Sequence, residues 1–217
     1  MNPTLTDAIQ KIQTSKAEIF THILVVFVLP IVFIKTQILA IEYRVPVLVA
    51  LITLLCAIVL REKWTFSMLG LKTGTFKKYF LPYALFTVAG VAFIISMAHG
   101  LGYKGIPHWW SYPHFIYLFF IVSLFQEIGY RAYLIPALGK ITNDPIWILL
   151  LNTILFTLLH TIFPNMIVGL PVAFVGGLGF ALMYMKYPNL PLVVLSHSVL
   201  NFCAVLYGFF VVPGVTY

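Results

Sequence analysis

Charge is what this sequence has least of. Only 9% of its 217 residues are Asp, Glu, Lys or Arg, where a soluble domain carries about 25%. So few charges cannot cover a water-facing surface, which excludes a soluble enzyme, a disordered protein and a nucleic-acid reader. Cysteine is scarce as well. Cys56 and Cys203 both stand in apolar runs, which excludes a disulfide framework and a cysteine-rich metal module. There are six acids, no internal repeat and no low-complexity tract. The remainder is apolar, 61% hydrophobic with a mean hydropathy of +1.01. A chain of this size and composition reads as all-α, a polytopic transmembrane helical bundle.

About 20 apolar residues carry a helix across a bilayer. On that measure the sequence predicts seven spans, at residues 19–41, 45–60, 79–98, 114–138, 145–163, 166–185 and 190–212. Residues 1–18 are polar and lack a small-residue cleavage site, so no cleavable leader is read there. Within them Leu5, Ile9 and Ile12 stand at i, i+4 and i+7. That spacing leaves two readings, a helix lying along the cytoplasmic interface or a frayed, solvated tail. Residues 19–217 read as one transmembrane domain.

Lysine and arginine resist translocation and so set orientation. With the N-terminus in the cytoplasm, Lys11, Lys16, Arg61, Lys63, Lys72, Lys77, Lys78, Lys140 and Lys186 stay inside, and Lys35, Arg44 and Lys104 face outside. The expectation is an integral protein of a bacterial-type cytoplasmic membrane, N-terminus in and C-terminus out. The same bias accounts for the net charge of +7 without a nucleic-acid partner. Residues 99–113, with His99, Gly100, Gly102, Gly105, Pro107, Trp109 and Trp110, read as an outer loop with an aromatic interfacial anchor.

An ionisable group inside a span costs a few kcal/mol, so it normally faces the bundle interior and has a partner. Five of the six acids have ordinary addresses in the tail, at span ends or in the loop before Pro145; Glu127 alone is mid-span. Ser123, Glu127 and Arg131 follow at i, i+4 and i+8, which stacks them on one face and lets Arg131 neutralise Glu127. The next span repeats Asn152, Phe156 and His160 every four residues, and the last places His197 four residues before Asn201. Each stripe has a structural explanation of its own: an ion pair that fixes packing, a packing histidine, an interhelical hydrogen-bond pair. Chemistry explains the three together. The intervening span carries Gly169, Ala173, Gly177 and Ala181, a small-residue ridge suited to close helix packing.

These stretches resemble the CAAX-protease and bacteriocin-processing family of intramembrane proteases, also called the Abi family. Its signature is Glu-Glu-x-x-x-Arg, then Phe-x-x-x-His, then His-x-x-x-Asn on a late helix. Here the matching segments run from Gln126-Glu127 to Arg131, from Phe156 to His160, and from His197 to Asn201, within residues of about 115–206. One position departs from the pattern: Gln126 stands where the family has its first glutamate, and a carboxamide cannot take a proton.

The resemblance implies peptide-bond hydrolysis in the membrane without a covalent intermediate. On that reading Glu127, helped by His160, activates water, while His197 and Asn201 donate to the oxyanion. Gln126, Arg131 and Phe156 support the site. The implied substrate is a peptide or protein delivered to the lipid bilayer, such as a prenylated C-terminus or a leader peptide, and no metal or other cofactor is implied. The C-terminal Val-Pro-Gly-Val-Thr-Tyr has no CaaX box, so the expectation is that the chain is not its own substrate. Three other classes compete. Gln126 suits a catalytically inactive membrane scaffold or regulator. Glu127, His160 and His197 form a chemically sensible three-ligand zinc set. A transporter or proton relay also uses intramembrane acids and histidines, but it generally shows a repeat symmetry that this sequence lacks.

Overall fold

The computed structural model describes residues 1–72, 74–111, 115–163 and 166–210, at 111 and 115–118 by their backbone alone. Every regular element among them is helical. Helix α1 spans Pro3–Lys11; α2, Lys16–Lys35; α3, Ile41–Arg61; α4, Thr75–Gly100. Helix α5 runs over residues 115–141, α6 over Pro145–Ile162, α7 over Met166–Lys186 and α8 over Leu190–Leu206. Five of these, α2, α3, α4, α6 and α7, are long and apolar enough to cross a membrane. With the long α5 and the shorter apolar α8, they occupy the seven expected places. The protein is a polytopic helical bundle, and its large apolar side chains face outward as well as inward. Ile167 is 90% and Leu60 77% exposed, as lipid-facing positions should be.

The order of packing follows the small residues. Helix α8 lies against α4 and α5, and α6 lies along α7. Gly177 on α7 admits the Phe156 ring of α6; a Cβ there would stand 2.8 Å from Phe156 Cδ1. Gly169 and Gly177 both meet aromatic rings from neighbouring segments, so the ridge packs as its spacing suggests.

Two helices widen into π-turns, Ile23–Val28 in α2 and Ile128–Leu134 in α5. Each is followed by a proline, Pro30 or Pro136, near the start of the next α-helical segment. A proline ring collides with the carbonyl four residues earlier and offers no N–H to it. In both helices that carbonyl lies inside the wide turn, which relieves the collision without breaking the rod.

Of the two readings of the N-terminal segment, the helix is the one found, and α1 docks on the bundle. Asn2 caps it, the Asn2 N–H donates to Met185 O at 3.2 Å, and Leu5 and Ile9 join the core while Ile12 packs with Met68. Glu18 is no tail residue, since Ser15 and Glu18 form the capping box that starts α2. The last span stops at Leu206 rather than continuing to 212. Gly208 adopts φ +74°, and its N–H and that of Phe209 donate back to Val205 O and Ala204 O. This closure ends the helix in a left-handed glycine cap. The expected span limits at His114 and Val212, and the C-terminal Val-Pro-Gly-Val-Thr-Tyr, lie outside the described residues.

Candidate active site

Ser123, Glu127 and Arg131 are all fully buried on α5. Arg131 Nη1 lies 3.3 Å from Glu127 Oε1, the ion pair expected of their spacing. The guanidinium also donates from Nη2 to Gly177 O at 3.0 Å, and it sits over the Phe156 ring, 4.4 Å from its centroid. Gly177 therefore serves twice, as a gap for Phe156 and as a carbonyl for Arg131. The same Glu127 Oε1 accepts from His197 Nδ1 at 2.7 Å. A carboxylate can only accept, so the proton at this contact is on Nδ1 and the ring's Nε2 is turned away from Glu127. Phe180 lies beside the His197 ring with centroids 4.7 Å apart.

Gln126 has a different environment. It is 9% exposed, and its Oε1 is buried with no hydrogen-bond partner among the described residues. The side chain lines a cavity of about 60 Å³ shared with His160, Asn201 and Arg44. It also lines an adjoining apolar cavity of about 70 Å³ walled by residues of α2, α3, α5 and α6. A third cavity, about 90 Å³, is lined by His160, His197, Asn201, Phe156 and Phe180. Each has room for a few waters, since one needs only about 10–15 Å³. His160 and Asn201 thus border two of these spaces, and Glu127 borders none of the three.

His160 ends α6 and opens a short 3-10 turn. Its Nδ1 is 2.9 Å from Phe156 O. A carbonyl accepts, so Nδ1 is the protonated nitrogen and a neutral ring keeps its lone pair on Nε2. Phe156 and Phe210 hold the ring, with centroids at 4.8 and 5.1 Å. Phe210 reaches it because α8 ends early at the Gly208 cap.

The structure thus gathers Glu127, Arg131, Phe156 and His197 into one buried cluster, and Gln126, His160 and Asn201 around one cavity. His160 and His197 meet across the largest of the three spaces. Among the described residues no three His, Cys, Asp or Glu side chains come close enough to hold a metal ion. Of the residues read as a possible zinc set, His197 reaches Glu127, and His160 does not contact that pair. Sequence reasoning missed Arg44, which it counted only as a topology charge, and Phe180 and Phe210, which carry no motif. A signal for Phe210 was present in the Tyr207-Gly208 pair that stops the helix before it.

Residues 108–203, which contain all three motifs, match the family model described as type II CAAX prenyl endopeptidase Rce1-like. No curated protein and no solved structure gives a significant match.

Proposed function

We propose, from the match of residues 108–203 to a type II CAAX prenyl endopeptidase model, that the chain is an intramembrane endopeptidase of the CAAX-protease and bacteriocin-processing family in which His160 activates water. The substrate is a peptide or protein delivered to the membrane and cut near its chain end. The observation that carries this reading is the shared cavity of His160, Asn201 and Gln126 inside the bundle.

In the proposed cycle a water held by Gln126 Oε1 gives a proton to His160 Nε2 as its oxygen attacks the scissile carbonyl. Asn201 Nδ2 donates to the oxyanion, and His197, held at Nδ1 by Glu127, turns its other ring nitrogen toward the same oxygen. The C–N bond then breaks, and His160 returns its proton to the leaving amine. Losing one such oxyanion donor typically costs about 10²–10³ in rate. Glu127 takes a role other than that of base. It is sealed between Arg131 and His197, where a carboxylate orients an imidazole, as in other acid–histidine pairs. No step in this cycle is routed through a metal.

A second reading is favoured by one observation. Gln126, on the cavity wall, can position a water but not deprotonate it, which suits a catalytically inactive membrane scaffold or regulator. Cleavage of lipidated and leader-type fluorogenic peptides by purified wild type, His160→Ala and Gln126→Glu separates the two. The hydrolytic reading expects turnover by the wild type, and a loss of about 10²–10⁴-fold on removing the base. Silence of the wild type with turnover by Gln126→Glu makes the protein a disarmed binder.

A further inference from the structure

We infer that Arg44 is a substrate-binding residue that takes the free carboxylate at the C-terminus of the bound peptide. The inference rests on the hydrolytic reading and deepens it. Arg44 begins the α-helical part of α3, and its half-buried side chain lines the cavity that also touches Gln126, His160 and Asn201. Its one hydrogen bond among the described residues is from Nη1 to Ile41 O, at 3.2 Å. Among the described residues no carboxylate lies within 4 Å of it; the ion pairs go to Glu18 and Glu127 only. A guanidinium has five N–H donors in a planar fork. Most of this one is unused and half withdrawn from water; the acid that acts on it, Glu42, lies beyond ion-pair distance.

The other walls explain which anion fits. Apart from Arg44, the polar groups of the cavity are Gln126, His160 and Asn201, and the rest is apolar, including Val45, Val122 and Val205. The Gln126 Oε1 is more than nine-tenths buried and also lacks a partner, so it waits for a donor such as a peptide N–H. One small space therefore holds a fork suited to a carboxylate, an acceptor suited to a backbone amide, and two of the groups proposed to act on a scissile carbonyl, His160 and Asn201; the third, His197, borders the neighbouring space that both of them also line. A chain end supplies all three complements within a few residues. A planar carboxylate engages two guanidinium donors side by side, which a lysine could not reproduce.

The test uses the full-length protein in neutral detergent. The probe is a dansylated peptide with a farnesylated cysteine four residues from its end, the CaaX arrangement, made as the free acid and as the C-terminal amide. Binding is read by fluorescence anisotropy and cleavage by chromatography of the same samples. Wild type should bind the acid at least about 10-fold more tightly than the amide, the worth of a charge-assisted hydrogen bond. Arg44→Gln should bind both with the affinity of the amide, and Arg44→Lys should recover part of the preference. Discrimination in binding without cleavage leaves this inference standing and removes the hydrolytic reading. Cleavage without discrimination does the reverse. Equal weakening of acid and amide in Arg44→Gln, or a preference that survives the substitution, overturns the inference, as does failure of either peptide to bind. If phosphatidylglycerol in the micelle competes with the amide as strongly as with the acid, and only when Arg44 is present, the residue is a headgroup anchor and the inference falls. An unchanged unfolding temperature for Arg44→Gln confirms that the variant is folded.

Discussion

Adjacent positions on an α-helix point about 100° apart, and at Gln126 and Glu127 that angle separates a cavity wall from the sealed interior. A buried ion pair is held less by its own attraction than by the cost of leaving either charge alone. Glu127→Gln keeps the shape but strands the Arg131 guanidinium, so it should cost about 3–5 kcal/mol of stability, read as a lowered unfolding temperature in detergent. Combining it with Arg131→Met should restore part of the loss, because both charges then go. A Glu127→Gln protein as stable as wild type would show that the carboxylate does not balance Arg131. The pairing of Glu127 with Arg131 was legible from their spacing, and so were the histidines and Asn201. Which of two neighbouring side chains faces the cavity was not, because a helix's rotation about its own axis is fixed by tertiary packing.

The π-turn of α5 begins immediately after Glu127 and ends two residues before Pro136. Such a wide turn misplaces backbone carbonyls, and one of them is claimed by a side chain: Asn152 Nδ2 on α6 donates to Tyr130 O at 2.6 Å. Asn152 is thus a clamp on the element that carries Glu127 and Arg131. Asn152→Leu should cost about 1–3 kcal/mol by leaving that carbonyl unpaired in the interior, again measured as thermal stability. A neutral result would mean that the turn satisfies the carbonyl by itself. On α7, Gly177→Val should be worse than its size suggests. The new side chain meets Phe156 at its first carbon and presses on the carbonyl that holds Arg131. Overpacking typically costs about 1–3 kcal/mol, and here activity should fall with stability. The small-residue ridge and the polar stripe were both plain in the sequence at four-residue spacing. The π-turns were not, because a proline inside an apolar run signals a disturbance without saying which kind. The Gly208 cap was hidden for a related reason: hydropathy continues beyond Leu206, so only backbone geometry shows where the helix stops.

The whole molecule places the ends of several elements together. Lys16 Nζ donates to Ile141 O, Asn2 Nδ2 to Lys186 O, and Arg61 faces Glu18 at 3.6 Å. Lys35, expected on the opposite side, donates to Thr161 O beside His160. The candidate cavity therefore lies in the half of the bundle away from most of the lysines. If the basic end faces the cytoplasm, as positive-inside topology requires, a cysteine introduced at Lys63 should be labelled only after the membrane is opened, and one at Lys104 should be labelled in intact cells. The reverse pattern would invert the orientation. Helix α1 should matter to stability despite its short, partly polar sequence. Ile9 packs directly against Gly139, with no room for a Cβ between them, so Ile9→Asp should loosen α5 at its basic end and lower the unfolding temperature. Composition alone made the membrane bundle legible, because so few charges leave no other surface. The docking of α1 was not legible, since amphipathic spacing fits a lipid interface and a protein groove equally well. The central claim is hydrolysis by water activated at His160, and cleavage of a susceptible peptide in ¹⁸O-enriched water tests it most directly. The account predicts that wild-type protein places one heavy oxygen in each new carboxylate and that His160→Ala places none. Absence of cleavage by the wild type, with heavy oxygen incorporated only after Gln126→Glu, would contradict it.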